Sequence, residues 1–134
     1  MKKWTVGVFA TLAILGCKDE LNIPEYNPNI DGDGPTIEIS SPTENGEYHG
    51  NSTVPIDIVF ADNFYLSEFT VAIAKVDSLD QDFVYTQKTN DSSFRYTGTY
   101  TLPFADTTTY EVQLQVRDSV GFGTLESYQF RASR

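Results

Sequence analysis

A period-two alternation of apolar and polar residues constrains the fold of this chain most strongly. Its clearest instance is Tyr110 to Arg117, where Tyr, Val, Leu and Val alternate with Glu, Gln, Gln and Arg. Successive side chains of a β-strand point to opposite faces, so such a segment buries one face and exposes the other. Almost no helical periodicity occurs between Pro35 and Arg134. The pattern therefore predicts an all-β domain over residues 35–134.

Seven strands are predicted from this alternation and from the turn residues between them. They are Thr36–Ser40, Thr53–Ala61, Glu68–Val76, Asp82–Lys88, Ser93–Leu102, Tyr110–Arg117 and Thr124–Arg131. Pro55 lacks a backbone N–H, which favours an edge position or a bulge for the second strand. Seven short antiparallel strands in about 100 residues are typical of an immunoglobulin-like sandwich.

Three segments carry a resemblance to known proteins, namely Pro35–Pro42, Asp62–Asn63 and Tyr110–Asp118. They resemble the Ig-like, fibronectin-III-like and cadherin-like modules of small surface lipoproteins of Gram-negative bacteria. The resemblance implies a fold rather than an activity, because the function of those single Ig-like domains is unassigned.

The segment from Leu102 to Tyr110 also resembles the tyrosine corner of such domains. This resemblance implies that the Tyr110 hydroxyl bonds back to the preceding loop. The hallmarks of antibody domains are missing, since the domain contains neither a cysteine pair nor a tryptophan.

The N-terminus has the features of a lipoprotein signal peptide. Two lysines precede an apolar run, Trp4 to Leu15, that is shorter than the roughly 20 residues a spanning helix needs. The following Ile14-Leu15-Gly16-Cys17 resembles the lipobox of bacterial lipoproteins. That resemblance implies that residues 1–16 are removed and that Cys17 carries a diacylglyceryl group. The alternative is a plain secretion signal with an incidental cysteine.

Residues 17–34 are expected to form the lipidated cysteine and a flexible tether, because they contain Pro24 and Pro28 and no periodicity. Lys18-Asp19-Glu20 resembles the export signal of lipoproteins displayed on the surface of certain Gram-negative bacteria, although a solvated linker has the same composition. We therefore expect a lipid-anchored outer-membrane protein that faces the cell exterior, with the periplasm as the alternative.

The charge balance limits the possible partners. The chain has nine basic and nineteen acidic residues, and removing Lys2 and Lys3 leaves seven against nineteen, a net charge of −12. Nucleic acid is disfavoured as a partner because phosphate binding needs basic patches. If Cys17 is lipidated no disulfide is possible, so the core must hold the domain. Of the eight Tyr and nine Phe residues in the chain, seven Tyr and eight Phe lie in residues 35–134, which makes such a core plausible.

Alternating strand directions predict that four acidic segments meet at one end of the domain: Asp31–Gly34, Asp62–Ser67, Thr89–Ser92 and Asp118–Gly121. Carboxylates that converge repel each other unless water or a cation separates them, and calcium accepts six to eight oxygens in flexible geometry. Asp33, Asp62 and Asp118 are therefore the candidate Ca²⁺ ligands. The alternative is a solvated rim of Asx turns.

The aromatic residues Phe64, Tyr65 and Phe122 are predicted at the same end. They are candidates for a stacking platform that binds a glycan or a surface protein, and the alternative is burial beneath the rim.

Catalysis is not expected. His49 is the only histidine, and it lies in a turn-rich segment without a nucleophile or phosphate-loop motif. The sequence thus favours a non-catalytic, lipid-anchored binding or accessory module in glycan handling or adhesion. The alternative is a calcium-stabilised structural spacer with no ligand of its own.

Overall fold

The computed structural model describes residues 32–78 and 80–134, which form eight β-strands. The strands are β1 (Thr36–Ser41), β2 (Glu47–His49), β3 (Thr53–Ala61), β4 (Leu66–Lys75), β5 (Phe83–Lys88), β6 (Ser93–Thr101), β7 (Thr108–Asp118) and β8 (Gly123–Ser133). These residues include no helix that could cross a membrane. The predicted signal peptide, the lipidation site Cys17 and residues 18–31 of the tether lie outside the described residues.

The strands form two sheets, with orders β1-β3-β6 and β2-β8-β7-β4-β5. Every neighbouring pair is antiparallel except β2 and β8, which run parallel. The predicted all-β sandwich is therefore confirmed, but one of its sheets is mixed rather than purely antiparallel.

The predicted count of seven strands is wrong, because β2 lies inside the segment that we expected to be a turn. This strand has only three residues, of which only Tyr48 is partly buried, so it shows no readable alternation. Its pairing partner is the far end of β8, where Tyr48 lies opposite Ala132. The pairing is created by the tertiary structure and leaves no local trace in the sequence.

Of the two alternatives for the second strand, β3, the edge position is wrong, since β3 is central in its sheet. A register irregularity does occur near the start of β3, but it lies in the neighbouring β1, between Ile39 and Ser41. The neighbour β1 pairs with β3 only from Asp57 onwards, so Pro55 lies beyond the paired region. The Pro55 carbonyl faces this open side, where it accepts a hydrogen bond from Ser41 Oγ at 2.7 Å. A residue's N–H and C=O point the same way in an antiparallel strand, so the missing N–H of Pro55 costs no ladder bond.

The core lies between the sheets and is built from the inward residues of the alternating patterns. Its largest fully buried side chains include Phe60, Phe69, Tyr110 and Phe130. Phe60 and Phe69 stack across the two sheets with ring centroids 4.6 Å apart. Burying such a side chain contributes roughly 1.5–3 kcal/mol, so the aromatic core can hold the domain without a disulfide.

The hydrogen bond expected for a tyrosine corner is not formed. Tyr110 is fully buried in β7, and its hydroxyl has no hydrogen-bond partner in the described part of the chain. The ring instead packs on Phe130 and Tyr100, at centroid distances of 5.3 and 5.4 Å. Burial raises the pKa of Tyr110 above the ordinary value of 10.0.

Candidate functional site

The start of the described chain and three connections between strands meet at one end of the sandwich, as predicted. We call these segments, residues 32–35, 62–66, 89–92 and 118–123, the loop rim. Hydrogen bonds join them. The Asp62 N–H donates to the Ser92 carbonyl at 2.8 Å, and the Ser119 N–H donates to the Tyr65 carbonyl at 2.8 Å. Thr124 Oγ1 donates to the Pro35 carbonyl at 2.5 Å, which brings the start of the described chain to the same end.

Asp118 organises the hairpin loop of the rim. It continues the inward-facing stripe of β7 after Val116 and is only 2% exposed. Its Oδ1 accepts backbone N–H bonds from Val120, Gly121 and Phe122 at 2.9, 2.5 and 2.8 Å. Gly121 has a φ of 111°, a conformation that favours glycine. These contacts fix the loop and hold the residues at its tip in one arrangement.

Asp62 makes the smaller, Asx-type turn expected of an acid at a strand end. Its Oδ2 accepts the Phe64 N–H at 3.0 Å. Asp62 also lines a cleft of about 370 Å³ together with Asp33 and Asn63. The structure therefore brings two of the three predicted calcium ligands to one cleft, whereas Asp118 does not line it.

Two carboxylate oxygens of the rim are buried without a hydrogen-bond partner in the described residues, Asp62 Oδ1 and Asp118 Oδ2. Such atoms call for a water, an ion or another explanation. However, residues 32–78 and 80–134 contain no group of three or more His, Cys, Asp or Glu side chains arranged to hold a metal ion. A cation here would depend on backbone carbonyls and water for most of its ligands, and calcium binding stays a prediction.

The three residues predicted as an aromatic platform differ in exposure. Tyr65 is 52% and Phe122 is 45% exposed, whereas Phe64 is partly buried. Val120, 54% exposed, lies in the same hairpin loop as Phe122. We call Tyr65, Val120 and Phe122 the apolar tip. Val120 was not among the predicted contact residues, because a single valine in a polar loop does not indicate a binding surface.

A basic residue lies beside the apolar tip. Arg117 lines a groove of about 300 Å³ together with Gly121, Gly123 and Leu125. Arg117 is exposed, and the salt bridges found among the described residues do not include it.

A second cleft, of about 500 Å³, lies at the opposite end of the sandwich, where the β4–β5 turn meets the β6–β7 connection. Lys75 Nζ lies 5.0 Å from the centroid of the Phe104 ring, within the range of a cation–π contact. Asp77 and Asp106 also line this cleft. The sequence analysis did not single out these residues, since they come together only through the fold.

His49 is exposed, as expected, but it has an unexpected neighbour. Its Nδ1 lies 2.8 Å from Ser133 Oγ, and its Nε2 lies 3.7 Å from a Glu47 carboxylate oxygen. The β2–β8 pairing creates this contact between residues 84 positions apart. His49 lies on the edge strand β2 and Ser133 on its neighbour β8, and neither residue lines the clefts described above.

The fold is similar to part of a known structure. A chain in the crystal structure of wild-type OgpA from Akkermansia muciniphila superposes with a TM-score of 0.50 and 9% sequence identity. The match covers 78% of this chain and 31% of that chain, so this chain spans about a third of its length. At this identity the similarity concerns the fold alone. No family model and no curated protein matches the sequence.

Proposed function

We propose that this protein is a lipid-anchored, non-catalytic module of the bacterial cell surface that acts in glycan handling or adhesion. The observation that carries the proposal is the apolar tip, three exposed apolar side chains on loops that Asp118 and the rim hydrogen bonds hold in place. Exposed apolar groups clustered on rigid loops are typical of interaction sites. The lipobox-like Cys17 supports the anchor.

We infer that the sandwich is of the immunoglobulin-like type. The strand orders support this inference: β1-β3-β6 form one sheet and β8-β7-β4 form the centre of the other, with β5 as an edge strand paired to β4. Apart from its passage to β2 and back between β1 and β3, the chain crosses from one sheet to the other between β3 and β4, between β5 and β6, and between β6 and β7. Strand β2 is then an accessory edge strand rather than part of the basic pattern.

The anchor is tested by labelling cells with a fatty acid. We expect label on the wild-type chain and none on Cys17→Ser. An unlabelled wild type would mean that the chain carries no lipid.

The contact surface is tested with the lipid-free chain beginning at residue 18, on a glycan array and on intact cells. We expect Tyr65→Ser/Phe122→Ser to lose the binding that the wild type shows, because it removes two of the three exposed apolar contacts. Phe104→Ser, which alters a similarly exposed ring (40%) at the other end, is the matched control and should bind normally. Equal binding by all three chains would contradict the proposed surface. Ester or glycoside hydrolysis that disappears in His49→Ala would contradict the non-catalytic assignment.

A second candidate function, a calcium-stabilised spacer, is favoured by the buried unpartnered oxygens of Asp62 and Asp118. Calcium that binds the folded state at 100 times its Kd would add about 2.7 kcal/mol to the free energy of unfolding. The melting temperature of the lipid-free chain should then rise by several degrees in calcium relative to chelator. The rise should be lost in Asp62→Ala and Asp118→Ala. Identical melting in calcium and chelator would reject the spacer.

A further inference from the structure

The apolar tip and the start of the described chain share one end of the sandwich. A Cβ built on Gly34 would lie 3.9 Å from Phe122 Cβ, and Pro35 is hydrogen-bonded to Thr124. Seventeen residues, 18–34, separate Cys17 from Pro35. A chain anchored through Cys17 therefore reaches the domain at the end that carries the tip.

The side chains of the tip fit a lipid surface better than a sugar. Its most exposed member, Val120, is aliphatic and offers no ring for stacking. Aromatic and aliphatic side chains that project from a fixed loop suit the boundary between headgroups and acyl chains, where Tyr and Phe gain from burial. Arg117, beside the tip, can keep its guanidinium at the level of the lipid phosphates while its stem covers apolar surface.

Two of the acidic groups at this end are turned towards the protein, whereas Asp33 and Asp91 are exposed. Asp118 is buried and accepts three backbone N–H groups, and Asp62 accepts the Phe64 N–H. The overall negative charge nevertheless disfavours anionic lipids. The lipid that fits is therefore zwitterionic.

We propose that the apolar tip docks on the bilayer that holds the lipid anchor, with Val120 and Phe122 inserted at its interface. This inference rests on the proposed lipidation of Cys17. Of the two forms of the proposed function it takes adhesion rather than glycan handling, with the bilayer as the surface that the tip contacts. Docking orients the sandwich, so that the cleft of Lys75 and Phe104 at the opposite end faces away from the membrane.

The experiment uses the full chain, purified from a host that processes lipoproteins and reconstituted in phosphatidylcholine vesicles. Phe122→Trp and the matched control Phe104→Trp are each made, and the introduced tryptophan is the only one in the processed chain, because Trp4 is removed with residues 1–16. The mass of the N-terminal peptide reports lipidation of Cys17 independently. Brominated acyl chains should reduce the emission of F122W by about twofold or more and leave F104W nearly unchanged, because only an interfacial ring lies within quenching range.

The outcomes separate the two proposals. An N-terminal peptide without the diacylglyceryl mass would overturn the anchor, whatever the fluorescence shows. A lipidated chain in which F122W is quenched no more than F104W would overturn docking and leave the anchor intact. If F122W is unquenched but responds to a soluble polysaccharide panel, the tip is a glycan site and docking is wrong. Val120→Trp repeats the measurement at a position where little packing is lost, in case F122W folds poorly.

Discussion

At the scale of single residues, the carboxylate of Asp118 fixes the conformation of the hairpin loop that carries Val120 and Phe122. Asp118 occupies a core-facing position of β7, where an apolar residue would continue the stripe of valine and leucine. Its Oδ1 accepts three N–H groups that no strand could satisfy, and this converts a hairpin loop into a fixed support for Val120 and Phe122. Hydrogen bonds to a charged acceptor are stronger than neutral ones.

At this scale we predict that Asp118→Ala lowers the free energy of unfolding by about 1–3 kcal/mol, because three N–H groups lose their acceptor. Asp118→Asn keeps an oxygen at Oδ1 and should cost less. Asp62→Ala, which removes an acceptor from only one N–H, is the second control. Urea denaturation of the three variants measures the difference. An unchanged midpoint for Asp118→Ala would show that the loop is held by other contacts.

Among the strands, the pairing of β3 with β6 carries a polar contact on the solvent face. The Arg95 guanidinium donates to both carboxylate oxygens of Asp57, at 2.8 and 2.6 Å. These hydrogen bonds, with the positive charge, hold the pKa of Asp57 below its ordinary value of 3.8. A bidentate pair of this kind adds to the stability of the sheet only while the carboxyl is ionised.

We therefore predict that Asp57→Asn lowers the free energy of unfolding by an amount that depends on pH. Because the pKa of Asp57 is lowered in the folded state, the ion pair contributes fully to the free energy of unfolding above pH 3.8. This contribution is lost as the pH falls through the folded-state pKa of Asp57. Wild type and variant should differ in melting temperature at pH 7 and converge in the acid range. Arg95→Gln is the control and should show the same convergence. A difference that persists unchanged at low pH would rule out the ion pair as its cause.

For the molecule as a whole, stability rests on an aromatic core. Burial raises the pKa of Tyr100, Tyr110 and Tyr128 above 10.0. The neutral form of each is thus the one that the fold accommodates. The buried tyrosines contribute fully to the free energy of unfolding below pH 10. This contribution is lost as the pH rises further, because the same tyrosines ionise more readily in the unfolded chain.

Alkaline titration should consequently show a cooperative loss of structure above pH 10, with part of the tyrosine ionisation coupled to it. Absorbance at 295 nm and circular dichroism followed together test this expectation. Tyr100→Phe/Tyr128→Phe should resist alkali better than the wild type. Complete ionisation of the tyrosines with the fold intact would contradict it.

The sequence alone determined most of the sandwich, because alternation is a local property of each strand. The inward residues of β3 and β7 follow directly from period two. In β4 the alternation gives Phe69, Val71 and Ile73, but not Leu66, which is buried beyond a register irregularity. The convergence of the rim segments also followed from the sequence, since antiparallel neighbours return to the same end.

Only the tertiary structure decided the rest, because those features depend on pairings between distant segments. Contacts between strands produce three of these features: strand β2, the contact between His49 and Ser133, and the position of Pro55 in a central strand. The same holds for the tip: the sequence supplied Tyr65 and Phe122, but packing decided that they are exposed while Phe64 is partly buried. Burial is a property of the assembled sheets, and a loop sequence does not encode it.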